Sequence, residues 1–176
     1  IDVIEAMAND KPVALPRFDK ATDAPLPRQD WPLHEFPSDI IILEGWCVGA
    51  VPQNEAELIA SVNALERERD PNGVWRAYAN AQLAGPYQAL FGHIDRLIFL
   101  AAPDFGVVQA WRTEQEHALE ARVATEGRTG THVMTDAEVA AFIQYYERLT
   151  RHILAEMPGR ADMTLRLDAR RRLMPA

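Results

Sequence analysis

The sequence predicts an α/β domain: a mainly parallel sheet flanked by helices, with a large helical share. Two apolar runs, Asp39–Glu44 (DIIILE) and Arg96–Ala101 (RLIFLA), are continuous rather than alternating. That is the pattern of strands covered on both faces. Segments of helical periodicity separate the strand-like runs, an alternation that places parallel strands under crossover helices. The length of 176 residues suits one domain with a core large enough to need no covalent staples.

The elements follow in order. Pro12–Leu15 reads as a first buried strand. Residues 21–38 read as an ordered loop, because Pro25, Pro27, Pro32 and Pro37 forbid a long helix or a central strand there. Asp39–Glu44 is the second strand. Glu55–Arg69 carries Leu58, Val62 and Leu65 at helical spacing with charges opposite. Trp75–Ile94 reads as a helix interrupted at Gly85-Pro86. Arg96–Ala101 is the third strand. Phe105–Thr125 places Val107, Val108, Trp111, Leu119 and Val123 along a helix. Asp136–Met157 is the clearest helix: Thr135 and Glu138 form a capping-box pattern at its start, and Pro158-Gly159 ends it. Met163–Leu167 is the fourth strand.

Composition narrows the function. The formal net charge is −8 and the pI about 5.1. That argues against nucleic acid or an anionic membrane as the main partner. No apolar run approaches the roughly 20 residues of a membrane span, and a cytoplasmic location is expected. The single cysteine, Cys47, excludes an internal disulfide framework and a CxxC metal site, and reads as a small buried thiol. His34, His93, His117, His132 and His152 show neither HxxxH nor HExxH spacing, and no GxSxG elbow occurs. Lys11 and Lys20 are the only lysines; every other basic residue is arginine. Planar guanidinium groups suit phosphate or carboxylate recognition. Genomic base composition gives the same count, so position decides.

In open parallel sheets, ligands bind at the carboxyl ends of strands. Glu44 ends the second run and is followed by Gly45. A Mg²⁺-nucleotide site needs such an acid, to hold a metal-bound water or orient a nucleophile; capping a helix or pairing with an arginine is the plainer task. Gly45 and Gly49 allow close backbone approach or positive φ. Arg17, Asp19 and Lys20 follow the first run. An aspartate beside two cations suits a substrate hydroxyl or carboxylate together with phosphate charge, or else forms a loop salt bridge. Arg112 and Glu116 stand at i,i+4, as a surface pair or with the arginine on a lid over a transferring phosphate. Arg148 and Arg151, beside Tyr145 and Tyr146, suit arginine–aromatic packing or an anion.

Six blocks taken together carry a family resemblance: PRFDKATD (16–23), DIIILEGWCVGA (39–50), RDPNGVWRAYAN (69–80), WRTEQE (111–116), MTDAEVAAFIQYYERLTRHIL (134–154) and MPGRAD (157–162). In their order and spacing the chain resembles the D-glycerate 3-kinase-like P-loop kinases, within the phosphoribulokinase, uridine kinase and pantothenate kinase group. The resemblance implies a P-loop NTPase-like sheet and transfer of the ATP γ-phosphoryl group to a hydroxyl of D-glycerate, with ATP and Mg²⁺ required. By the same resemblance Glu44 is the Walker-B-like acid that meets Mg²⁺ through water. Asp19 and Lys20 are catalytic, and Arg17, Arg112, Arg148 and Arg151 bind substrate or phosphate.

The family's GxxxxGK[ST] loop is absent: none of the nine glycines lies in such a frame. The resemblance therefore implies that residues 1–176 are a single partial kinase domain, the C-terminal part, without the first central strand. Two outcomes are expected for the runs ending at Glu44 and Ala101: an open slot between them, or closure on each other. Weak ATP binding is expected of the chain alone. The alternatives are a related kinase acting on a nucleoside, pantothenate or sugar phosphate, and a non-catalytic assembly module using the helices of 105–157.

Overall fold

The computed structural model describes residues 1–19, 24–126 and 133–175. They fall into two compact units, Ile1–Val48 and Gly49–Ala176.

The first unit opens with helix α1 (Asp2–Ala8), whose first turn holds Asp2 and Glu5, where carboxylates favour the helix dipole. Two-residue strands follow: β1 (Val13–Ala14), β2 (Phe18–Asp19), β3 (Ala24–Pro25) and β4 (Leu33–His34). β1 pairs antiparallel with β4, Val13 opposite His34; β2 pairs antiparallel with β3, Asp19 opposite Ala24. The described part of the proline-rich segment, residues 24–38, carries two of these short edges, β3 and β4. Trp31 anchors it, donating its Nε1–H to the Leu26 carbonyl at 2.8 Å.

Two expectations are corrected here. Pro12–Leu15 contributes a short antiparallel edge rather than a buried strand. Asp39–Glu44 forms no strand: it enters no ladder among the described residues, and Ile40 and Ile42 are 78% and 84% exposed. Apolarity of a run specifies burial, but a strand also needs a partner for each N–H and C=O, and no described segment supplies one. No described residue of this unit is buried.

The second unit holds the core. It begins with a 3-10 turn at Glu55–Leu58, closed by a reciprocal capping box between Asn54 and Glu57. Helix α2 (Ala64–Arg69) starts from Asn63, whose side chain accepts the Glu66 N–H at 3.0 Å. The single helix expected over Glu55–Arg69 is thus split in two, for a reason given below. Helix α3 (Val74–Gln82) runs into a π-helical turn at Leu83–Tyr87 and then α4 (Gln88–Phe91). This is the interruption expected at Gly85-Pro86. Widening the turn accommodates a ring that cannot donate, and the Gln88 side-chain amide donates to the Leu83 carbonyl at 3.0 Å.

Strand β5 (Ile98–Ala101), helices α5 (Phe105–Glu126) and α6 (Asp136–Glu156) and strand β6 (Met163–Arg166) complete the unit. β5 and β6 pair in parallel, Ile98 opposite Met163 through Ala101 opposite Arg166. They are the one parallel pair among the described residues, so the mainly parallel sheet expected is reduced to two strands. On its other side β6 is extended by a hairpin, with Leu167 bridged to Leu173 and Met174 N–H donated to the Arg166 carbonyl at 2.8 Å. Ile98 and Leu100 share one face of β5 and are 59% and 60% exposed.

α5 packs along α6. Val139, Ile143 and Ile153 of α6 are buried together with Leu83, Phe105 and Met157. The capping box reads true: Thr135 N–H donates to Glu138 at 2.8 Å, and Glu138 N–H donates to the Thr135 hydroxyl at 3.3 Å. Thr135→Ala should therefore lower the unfolding free energy by about 1 kcal/mol, read from the urea midpoint. No helix among the described residues is long and apolar enough to cross a membrane.

Candidate functional site

The first unit carries Arg17, Asp19 and Glu44. Asp19 ends β2 and Arg17 immediately precedes that strand, two residues from Asp19. The Arg17 carbonyl accepts the Leu26 N–H at 2.9 Å, which pins the hairpin behind them. Asp19 is half-buried and Arg17 exposed. Lys20, the third member of that cluster, lies outside the described residues. Glu44 is exposed at the entry to the turn of residues 46–49, and its carboxylate meets no partner among the described residues. Cys47 in that turn is half-buried, and desolvation pushes its thiol up against the opposing pull of a backbone hydrogen bond.

The second unit carries Arg112, Arg148 and Arg151, with different surroundings. Arg148 donates from Nε and Nη2 to the two oxygens of Glu66, each at 2.7 Å. Its Nη1 also reaches the Glu57 carbonyl at 2.8 Å and its Nη2 the Ala60 carbonyl at 2.6 Å. Arg76, which the sequence did not single out, completes the arrangement. Its Nε donates to the Leu58 carbonyl at 2.6 Å and its Nη2 to the Ile59 carbonyl at 3.2 Å. Carbonyls of residues 57–60 that would accept helical N–H groups are thus held by two guanidinium groups, and the chain breaks before Asn63 restarts it. Gly73 fits this packing: its φ is +71°, and a Cβ there would meet the Arg76 Nε at 3.1 Å.

Arg151 pairs with Glu147 one turn earlier at 2.7 Å and lies 5.6 Å from the Phe105 ring centroid, with 59% of its side chain exposed. Arg112 pairs with Glu116, donates to Gln115 at 2.9 Å and sits 5.8 Å from the centroid of Phe142. The i,i+4 spacing of Arg112 and Glu116 was legible in sequence; the burial of Glu116, 3% exposed, was not.

Arg76 and Arg148 thus clamp the turn of residues 57–60, and two carboxyls beside Arg76, Glu66 at 3.8 Å and Asp70 at 3.5 Å, are shifted. Burial raises the Glu66 pKa, but hydrogen bonds from Arg148 and the Val62 N–H, with the charges of Arg148 and Arg76, bring it net below the ordinary value. Burial likewise raises that of Asp70, and the N–H groups of Trp75 and Arg76 bring it net below. Groups with depressed folded-state pKa values stabilise the fold above their unfolded values and lose that contribution as pH falls through the folded ones. The urea midpoint should therefore hold at neutral pH and decline below about pH 4.5. A midpoint that rises on acidification would contradict the assignment.

Among the described residues no three His, Cys, Asp or Glu converge as a metal cage. Mg²⁺ needs none: it keeps several waters and is held through one or two carboxylates and substrate phosphates. An exposed, unpartnered Glu44 carboxylate fits that demand.

No protein-family model matches the chain. It is 33% identical over 106 residues to the uncharacterized kinase mug58 of Schizosaccharomyces pombe, a match covering 60% of this chain and 35% of that protein. Its fold is similar to that of D-glycerate 3-kinase from Cryptococcus neoformans var. grubii, with a TM-score of 0.67 at 20% identity over 97% of this chain and 61% of that one. It is also similar to the solved YGR205w protein, with a TM-score of 0.62 at 23% identity over 98% of this chain and 61% of that one. The chain thus spans about a third of the curated relative and three fifths of each solved neighbour.

Proposed function

We propose that this chain works within an ATP- and Mg²⁺-dependent P-loop kinase that moves the γ-phosphoryl group of ATP onto a hydroxyl of a small hydroxy acid, D-glycerate, giving 3-phosphoglycerate. The observation that carries the reading is a fold shared with a D-glycerate 3-kinase along 97% of the chain. Similarity in sequence to a second protein named as a kinase supports it.

In this reading Glu44 would hold Mg²⁺ through water, and the ion when bound would supply charge neutralisation for the triphosphate. Asp19 orients the acceptor hydroxyl and accepts its proton. Arg17 and Lys20 attract the acceptor carboxylate and phosphate charge, and Arg112 faces the transferring phosphoryl group. Arg151, largely exposed, remains available to an anion. Arg148, engaged with Glu66 and two carbonyls, holds the scaffold instead.

The test is phosphoryl transfer by the whole gene product to D-glycerate, a nucleoside, pantothenate and a sugar phosphate. A kcat/KM for D-glycerate about 100-fold above the rest is expected, since a site built to bond polar groups discriminates at least that strongly. Preference for another acceptor favours a related kinase. No transfer to any acceptor favours an assembly module. The 176 residues hold no GxxxxGK frame, so Mg-ATP should bind the isolated chain only weakly by calorimetry; tight binding would contradict the assignment of the triphosphate cradle to residues outside it.

A further inference from the structure

We infer that Glu116 is a positioning residue for Arg112, holding its guanidinium at a fixed place and angle for the transferring phosphoryl group; the inference rests on the reading of Arg112 given above. Phe105, Val108, Arg112, Glu116, Leu119 and Val123 follow one another at spacings of three and four on α5, and all are buried or half-buried. Two of those stripe positions are therefore charged in a helix packed along α6. An ion pair is a poor way to fill such a stripe for stability alone, because apolar residues of similar volume do as well or better.

The pair is built with care for direction. One Glu116 oxygen takes the Arg112 Nη2, and the other accepts the Met134 N–H at 3.0 Å, just ahead of the α6 cap. The carboxylate is thereby fixed from the segment that leads into α6. On the arginine, Nη1 is held by Gln115 at 2.9 Å and Cζ lies 5.8 Å from the Phe142 ring centroid. The Glu116 side chain is 4% exposed but that of Arg112 is 28% exposed. The cation thus keeps an open side while its anchor is sealed. A guanidinium so restrained spends little ordering entropy when an anion arrives.

The experiment uses the whole gene product and the acceptor it turns over fastest. Glu116→Gln, which keeps the shape and the acceptor for Met134, should lower kcat about 10- to 100-fold, with KM for ATP and acceptor within about twofold. Arg112→Ala should lower kcat at least as much, and the double variant should be no worse than Arg112→Ala. The double variant Arg112→Met/Glu116→Met, which replaces both partners of the pair, should retain the parent melting temperature within a few degrees while losing kcat as Arg112→Ala does; a pair kept for structure alone predicts a lowered melting temperature instead. If Arg112→Ala leaves kcat unchanged, the reading of Arg112 falls. If Arg112→Ala lowers kcat while Glu116→Gln does not, or if the two effects add, the positioning role falls and the reading of Arg112 stands. Absence of any transfer by the parent protein overturns both.

Discussion

Arg148→Ala should lower the unfolding free energy by about 3–5 kcal/mol, the cost of breaking a buried ion pair by deleting one partner. The side chains of Arg148 and Glu66 are 11% and 12% exposed. Deletion leaves Glu66 with Arg76 at 3.8 Å as its remaining cation. It also strips the Glu57 and Ala60 carbonyls of their donors. Arg148→Lys restores one charge but not the fork, and a single ammonium cannot serve both Glu66 oxygens and both carbonyls in their fixed directions. It should recover less than half of the loss. Urea denaturation followed by circular dichroism reads both variants. A loss under about 1 kcal/mol for alanine would mean that the clamp is a surface pair in energetic terms. Since a domain's whole stability is about 5–15 kcal/mol, this one side chain decides whether the turn at 57–63 stays docked.

The same residues show what was legible in the sequence. α5 and α6 were, because their signals are local: apolar spacing of three and four, and a cap whose partners lie three residues apart. β5 and β6 were, because short apolar runs between helices leave few other uses. The break between Leu58 and Ala64 was not, because its cause lies in guanidinium groups 17 to 91 residues away in sequence. Nor was the fate of Asp39–Glu44, because strand formation is a property of pairs. The run is as apolar as a buried strand, yet its isoleucines stand exposed. Arg17, Asp19 and Glu44 were named as candidates by motif, and the structure adds that Arg17 and Glu44 are exposed and Asp19 half-buried. Glu116 and Arg76 have no signature that separates a buried charge from a surface one.

Glu44→Gln should lower kcat of the whole gene product by about 10²–10⁴-fold, the range expected when a group acting only in the transition state is removed. Glutamine keeps volume and an oxygen but not the negative charge that binds a hard cation or its water. The loss should therefore shrink as Mg²⁺ is raised, with the half-saturating Mg²⁺ concentration shifted upward. Asp19→Asn should lower kcat over a similar range but leave the Mg²⁺ dependence unmoved, because asparagine can still bond the acceptor hydroxyl while failing to accept its proton. The two carboxylates are thus separated by one titration: a variant sensitive to Mg²⁺ marks the metal-facing acid, an insensitive one the hydroxyl-facing acid. Exchange of the two behaviours would exchange the assignments. Activity within about threefold of the parent for both would remove these two acids from the chemistry, and with them the kinase reading of the first unit, whatever the fold of the second.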